Sequence, residues 1–167
     1  TCPAWRCYST GKKPGKLGVY WFVDVDWEER TLKPHSSLSF EEKNIWDYLG
    51  EEGYKCGVIG MPTTYPPKEI NGFMISGGPG FDKRDYTYPK SLKKKLDEKY
   101  NYKHGPEYLD TDNREKTLKD IKEVIKTKFK VAKDLALEEN LDFLHVTTFF
   151  INTLQHYYWN SKETKEA

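Results

Sequence analysis

The chain has 167 residues, of which 37% are hydrophobic, 32% charged and 15% aromatic, a composition typical of one globular domain. It excludes a collagenous or largely disordered chain, and no apolar run approaches the roughly 20 residues that a membrane-spanning helix needs. The 27 Lys and Arg against 26 Asp and Glu give a net charge of +1, so global charge gives no reason to expect a nucleic-acid polymer or a membrane as partner.

The N-terminal segment is predicted to hold a helix, a turn and an extended segment. Residues 1–11 favour a helix with Thr1 as N-cap and Gly11 at its C-terminal end. The Pro-Gly pair within 12–16 predicts a turn, and the aromatic and β-branched residues in 18–23 predict a strand or a buried extended segment.

A second helix is expected after a polar stretch, 24–38, that indicates irregular structure. Ser39 and Glu42 match a capping box, and Gly53 would end the helix. Four apolar residues would form its buried stripe: Phe40, Ile45, Trp46 and Leu49.

The middle of the chain alternates short apolar segments with polar ones. Residues 54–60 and 71–76 predict buried strands, separated by a proline-rich loop over 61–67. Pro89 predicts the start of a lysine-rich, mostly solvated helix over 90–100.

The longest predicted helix runs from Asp112 to about Asn140, with Glu115 in a capping-box position. Its expected apolar face comprises Leu118, Ile121, Ile125, Phe129, Ala132 and Ala136, with Val124 and Leu135 beside them. Residues 143–150 are typical of a central parallel strand. These elements predict a single α/β domain over 1–167, with three layers (α/β/α) and a mostly parallel sheet.

Three cysteines, Cys2, Cys7 and Cys56, cannot all pair and show no zinc-type spacing. Free thiols in a reducing compartment are therefore expected, which favours a cytoplasmic protein.

Asn152 and His156 follow the last predicted strand, where ligands collect at the carboxyl edge of an α/β sheet. On a helix they would project from one face, as a shared metal ion requires. The alternative is that Asn152 caps the helix and His156 packs among the aromatic residues 157–159. His145, on the strand itself, is expected to be a satisfied core residue.

Thr1 is the second candidate, because the first turn of a helix favours an anionic phosphate group next to its hydroxyl. A lowered pKa would make that hydroxyl a nucleophile, whereas capping alone is the alternative. The glycine-rich residues 77–80 would let the backbone approach a phosphate, but without the Lys-Ser/Thr ending of a P-loop they indicate a turn.

Four segments carry a family resemblance. Residues 1–5 (TCPAW) and 9–18 (STGKKPGKLG) resemble the T-x-P-A-W and T-G-x-N-P-G-x-H-G patterns of the type I phosphodiesterase/nucleotide pyrophosphatase family in the alkaline phosphatase superfamily. Residues 61–77 are similar to the mid-domain stretch of its prokaryotic cytosolic branch, and 152–159 (NTLQHYYW) resembles that branch's D-R-x-Q-H-F-x-W.

The resemblance implies a metal-dependent hydrolase, usually with two Zn²⁺, that cleaves phosphodiester or nucleotide pyrophosphate bonds of small substrates through a phospho-threonine intermediate. Thr1 falls on the nucleophile, which also contacts metal, Asn152 falls on a metal-binding Asp, and His156 falls on a metal-ligand position. No membrane or nucleic-acid polymer is implied as partner, and the oligomeric state is left open.

Three positions depart from the family pattern: Asn152 stands for Asp, Lys13 for Asn and Leu17 for His. A neutral amide is a poorer ligand than a carboxylate for a dication. The family's remaining ligands, an upstream Asp, a downstream Asp-His pair and a further His, have no counterpart in this sequence. The resemblance therefore implies an incomplete alkaline-phosphatase-like domain, the inactive central part of a longer catalytic domain.

Two other functions compete with this interpretation. A chain beginning at Thr1 suits an N-terminal-nucleophile hydrolase, but those are layered antiparallel sheets. A catalytically degenerate phosphodiesterase-like binding module is the other alternative, with aromatic side chains for stacking on bases or sugars: Trp5, Trp21, Trp46, Tyr65, Tyr157, Tyr158 and Trp159.

Overall fold

The computed structural model describes residues 2–78, 85–106 and 113–159. The elements of the first described range are α1 (Cys2–Thr10), α2 (Pro14–Leu17), β1 (Val23–Asp26), β2 (Thr31–Pro34), a 3-10 helix (Ser37–Ser39), α3 (Ile45–Glu51), β3 (Cys56–Ile59) and β4 (Gly72–Ile75). The other two ranges hold β5 (Thr87–Tyr88), α4 (Ser91–Tyr100), α5 (Arg114–Glu138), β6 (Phe143–Val146) and α6 (Phe150–Tyr158).

The main sheet has the strand order β5-β4-β3-β6. Strands β4, β3 and β6 run parallel, and β5 pairs antiparallel with β4. In the register, Val58 lies opposite both Met74 and His145. The sheet is therefore mostly parallel, as the sequence predicts, and a layered antiparallel architecture is excluded for it.

Helices cover both faces of this sheet because alternate strand residues point to opposite sides. On one face Val58 and Met74 pack in a cluster with Trp46 of α3. On the other, Ile59 joins a cluster with residues of α4 and α5, including Leu96 and Val131. The three-layer α/β/α prediction is confirmed.

The strand β6 is shorter than predicted and lies at an edge. Among the described strands it pairs with β3 alone, and Leu144 keeps 37% of its surface exposed. The sequence predicts a central strand over residues 143–150, which is wrong, because β6 is the last strand in the sheet order, ends at Val146 and is followed by α6 from Phe150. Its apolar composition reflects packing against helices on both faces rather than a strand neighbour on each side.

The apolar face of α5 differs from the predicted one. Its buried residues are Thr117, Leu118, Ile121, Val124, Lys128, Val131, Ala132 and Leu135. Phe129 is 53% exposed, although its hydrophobicity placed it in the predicted stripe. Lys128, one residue earlier, is buried instead. The buried face of α5 therefore includes a lysine, which a prediction based on apolar residues alone leaves out.

The prediction of irregular structure over 24–38 is also wrong. β1 and β2 form a small antiparallel hairpin with Asp26 opposite Thr31. The Asp26 carboxylate accepts hydrogen bonds from the backbone N–H groups of Glu28 and Glu29 and pairs with Lys33. A hydrophobic pattern does not indicate this hairpin, because neither of its strands has a buried residue. Of the strand predicted over 18–23, only Val23 belongs to β1.

Helix α3 begins later than predicted. Asn44, not Ser39, forms the capping box, with Asp47 as its partner, and a 3-10 turn capped by Ser36 occupies the expected start. Gly53 follows the helix with φ +89°, as expected for its end. The predicted turn over 12–16 contains the short helix α2.

Cys2, Cys7 and Cys56 are all free thiols. Within the described ranges, every helix is too short or too polar to cross a bilayer.

Candidate active site at the carboxyl edge of the sheet

The three parallel strands end side by side at Ile59, Ile75 and Val146. At this edge the backbone after β3 and the backbone after β4 come very close. A Cβ atom on Gly77 would lie only 2.1 Å from the carbonyl oxygen of Gly60. Glycine at position 77 is therefore required by packing. Gly60 and Gly77 are buried at this junction, and Gly78, the next residue, is partly exposed.

The loop after β3 is fastened to the end of β4 by Thr64. Its hydroxyl donates to the Met61 carbonyl at 2.6 Å and accepts from the Gly77 N–H at 3.1 Å, while the Ser76 hydroxyl donates to the Thr64 carbonyl at 2.8 Å. Thr63, one residue earlier, has φ +66°, a left-handed conformation that is strained for a β-branched residue. Such strain persists only where surrounding contacts fix it, and it concentrates at functional sites.

Helix α1 brings its N-terminal end to the same edge. Cys2 lines a cavity of about 110 Å³ together with Thr63, Gly77, Gly78 and Phe149. Cys2 is itself buried, and burial raises the pKa of its thiol, so it is not a reactive thiolate at neutral pH.

Two aromatic contacts fix the direction of α1. The Trp5 ring lies 6.4 Å from the Phe149 ring, and the Tyr8 hydroxyl lies 3.2 Å from Nδ1 of His145. The start of α1 is thus next to the segment that follows β6, and its later residues are next to β6 itself.

A second cavity of about 370 Å³ adjoins the first, and the two share Phe22, Gly77, Gly78 and Phe149 as lining residues. Lys128 of α5 lines this second cavity with Gly60 and Thr147. Its Nζ donates to the Thr147 carbonyl at 3.1 Å, and desolvation lowers the pKa of the Lys128 amine to about 8.

The predicted site residues are placed as follows. Thr1 lies outside the described residues. Asn152 and His156 are on α6, four residues apart and therefore on one face, and both side chains are exposed. The alternative of capping by Asn152 is wrong, because the helix begins at Phe150. Packing of the exposed His156 among residues 157–159 stays a prediction.

The described residues do not complete a dinuclear metal site. In the parts of the chain that the structure describes, no group of three or more His, Cys, Asp or Glu side chains is arranged to hold an ion. Asn152 and His156 offer two donors at most. A complete site needs donors beyond the described residues.

The other histidines have different surroundings. Both ring nitrogens of His145 are hydrogen-bonded, to the Tyr8 and Thr147 hydroxyls, and burial lowers the pKa of its imidazole. The prediction that His145 is satisfied is confirmed, but His145 is only partly buried on the edge strand β6, so its prediction as a core residue is wrong. His104, whose ring stacks edge-on at 4.2 Å from that of Tyr86, lines the Lys128 cavity.

Sequence reasoning did not identify Lys128 or Thr63 as site residues. Lys128 stands three or four residues from its buried neighbours Val124 and Val131, so its helical spacing alone indicated burial. No sequence feature marks the left-handed backbone of Thr63.

The family model for type I phosphodiesterase / nucleotide pyrophosphatase matches residues 1–167. Comparisons with curated proteins and with solved structures gave no significant match. Members of this family hydrolyse phosphodiester and nucleotide pyrophosphate bonds and are generally metal-dependent. With its α/β fold and a match over its full length, the chain belongs to the type I phosphodiesterase / nucleotide pyrophosphatase family.

Proposed function

We propose that the chain forms part of the catalytic domain of a metal-dependent hydrolase that cleaves phosphodiester or nucleotide pyrophosphate bonds of small substrates. Thr1 is the nucleophile in this proposal, and Asn152 and His156 are metal-binding residues together with Thr1. The family match over residues 1–167 supports the reaction class. The residue roles rest on the sequence motifs.

One structural observation carries the proposal. Cys2, which is bonded to Thr1, lies in the cavity at the carboxyl edge of the sheet, against Gly77 and Gly78. This is the edge at which α/β proteins bind ligands. Gly78 is partly exposed there, and it has no side chain that would keep a phosphate group away from the main chain.

The proposed reaction has two steps. The Thr1 hydroxyl oxygen attacks phosphorus, its proton is lost to solvent or base, and the bond from phosphorus to the leaving alcohol or phosphate breaks. Water then attacks the phospho-threonine, which releases the second product and restores the hydroxyl. Each step exchanges one P–O bond for another, so no oxidant or reductant is required.

A metal bound at Asn152 and His156 would stabilise negative charge on the phosphate. Because these residues supply two donors, we propose that the chain belongs to a longer catalytic domain that provides further ligands, including carboxylates. The 167-residue chain alone is then expected to be inactive. The free cysteines support a cytoplasmic location.

Hydrolysis of bis-p-nitrophenyl phosphate tests the proposal. The full-length protein that contains this sequence should turn the ester over with added divalent metal, and Thr1→Ala should abolish the activity. Thr31→Ala, on the exposed strand β2, is the matched control and should leave turnover unchanged. Activity that survives Thr1→Ala would overturn the assignment of the nucleophile.

The same assay addresses the alternative, a binding module without catalysis, which predicts no metal-dependent turnover at all. Some of the aromatic side chains that the binding-module alternative would use for stacking are buried in the structure. Trp46 and Tyr158 are 1% and 4% exposed, which makes them core residues, whereas Trp21 and Trp159 remain exposed.

A further inference from the structure

We propose that Lys128 forms an anion-binding subsite, in which its ammonium group binds a phosphate oxygen of the substrate away from the bond that is cleaved. The inference rests on the proposed function for the identity of the anion. It concerns a residue that lies on α5, far in sequence from the motifs that carry the family resemblance.

The first observation is the burial of a charged group at the floor of a cavity. Lys128 is 4% exposed, yet it lines the cavity at the carboxyl edge of the sheet with Gly60 and Thr147. A lysine is almost never fully buried unless it is paired. An ammonium group has three N–H donors, and one of them is used by the Thr147 carbonyl.

The second observation is the lack of a counter-charge among the described residues. Lys128 forms no ion pair there, and its remaining contact is the Phe150 ring, 5.8 Å from Nζ. An unpaired buried charge is costly, so an anion that enters the cavity gains a strong interaction. Burial also lowers the pKa of the amine, to about 8, and a bound anion would raise it again.

The third observation is the shape of the backbone around Nζ. A Cβ atom on Gly60 would lie 2.9 Å from the Thr147 carbonyl oxygen and 3.2 Å from Nζ, so the glycine makes room for the ammonium group at the cavity wall. No carboxylate lines the cavity among the described residues, and the other lining groups are glycines, aromatic rings and His104. An anionic ligand therefore meets no repulsive charge from these residues.

The fourth observation connects the subsite to the proposed reaction. The Lys128 cavity and the Cys2 cavity share Gly77, Gly78 and two aromatic rings, so one extended ligand can occupy both. A nucleotide pyrophosphate has a second phosphate one bridge oxygen from the first. Lys128 is suited to hold that second phosphate while the first lies beside α1.

Binding of inorganic phosphate to the full-length protein that contains this sequence, with metal removed, tests the subsite independently of hydrolysis. Lys128→Met removes the charge, and Lys128→Gln keeps a donor for the Thr147 carbonyl in case the first variant does not fold. The matched control is Lys133→Met, an exposed lysine on the same helix. Affinities are measured by calorimetry or by NMR titration.

We expect the wild type to bind phosphate saturably and both Lys128 variants to bind at least about tenfold more weakly, because a charge-assisted hydrogen bond is lost. Lys133→Met should bind as the wild type does. Equal affinity in the Lys128 variants, or no saturable binding by the wild type, would overturn the subsite.

The hydrolysis assay and the phosphate-binding assay distinguish an error in the proposed function from an error in the Lys128 subsite. If Thr1→Ala leaves hydrolysis unchanged but Lys128→Met abolishes phosphate binding, the nucleophile is wrong and the subsite stands. If phosphate binding ignores Lys128 while Thr1→Ala abolishes hydrolysis, the reaction stands and the subsite is wrong.

Discussion

Lys128 is a buried lysine, which is an unusual environment for its residue type. Burial lowers the pKa of its amine to about 8, from an ordinary value of 10.5. Between these two pH values the unfolded chain binds more protons at this lysine than the folded chain does. The contribution of Lys128 therefore makes the free energy of unfolding rise with pH from about 8 to 10.5.

Replacing Lys128 with Met should remove this pH dependence. Relative to the variant, the wild type is expected to gain at most about 3 kcal/mol of unfolding free energy between neutral pH and pH 10.5. Urea denaturation of the two proteins across this range measures the difference, with Lys133→Met as the control. Parallel profiles for wild type and Lys128→Met would show that the amine has an ordinary pKa.

The residues of the candidate site were only partly predictable. Motif resemblance suggests Thr1, Asn152 and His156 as site residues, and their roles stay predictions. It did not identify Lys128, whose role depends on which face of α5 meets the sheet. The spacing of Lys128 from Val124 and Val131 indicates that it lies on the buried face, but a search for apolar residues leaves a lysine out.

Helix α5 allows a direct test of its orientation. Leu135 is 1% exposed and packs in the cluster with Ile59, whereas Phe129, the larger side chain, is 53% exposed. Leu135→Ala should lower the free energy of unfolding by about 2–5 kcal/mol, because it leaves a cavity in a well-packed core. Phe129→Ala should cost less than about 1 kcal/mol. Urea denaturation distinguishes the two, and the reverse order would support the face predicted from sequence.

The junction of β3 and β4 gives a second test at the level of elements. Alanine at Gly77 would place its Cβ 2.1 Å from the Gly60 carbonyl oxygen, so the two strand ends must separate. Gly77→Ala is expected to cost about 3 kcal/mol or more of unfolding free energy.

Gly15→Ala in α2 is the matched control for Gly77→Ala. A Cβ atom at Gly15 meets only the Tyr20 hydroxyl, at 3.7 Å, and alanine favours a helix. Its stability should be equal to the wild type or slightly higher. Equal thermal midpoints for the two variants would contradict the close approach of the strands.

Strands β3 and β4 were predictable, whereas the exposed β1–β2 hairpin and the two-residue strand β5 were not. Strands β3 and β4 are nearly continuous apolar segments with flanking turn residues, so their burial follows from composition. The β1–β2 hairpin instead depends on the side-chain interactions of Asp26 and has largely exposed residues, including Trp27 at 83%. A hydrophobic pattern contains no information about such a hairpin.

At the scale of the whole molecule, the fold brings distant segments to one edge. Trp5, in the first turn of α1, packs near Phe149. Helix α6 then runs along α5. The Nζ atom of Lys128 lies 5.8 Å from the centre of the Phe150 ring, and the Cζ atom of Arg114 lies 5.8 Å from the centre of the Tyr158 ring. The sequence predicted this convergence from one rule, that ligand sites form where parallel strands end. The separation of Thr1 from His156 is a prediction that the described residues do not test.

We expect the side chains of Thr1 and His156 to approach within roughly 10 Å, because a nucleophile and a metal ligand must serve the same phosphate. A nitroxide label on His156→Cys, in a Cys7→Ser background, should broaden the NMR signal of the Cys2 amide. Cys2 and Cys56 are buried at 3% and 0% exposure, so they should react slowly with the label. Gly53, which precedes β3 at the opposite edge of the sheet, is the internal control and should stay sharp. If the Cys2 amide signal is no broader than the Gly53 amide signal, His156 lies far from the nucleophile position, and a shared site for Thr1 and His156 is excluded.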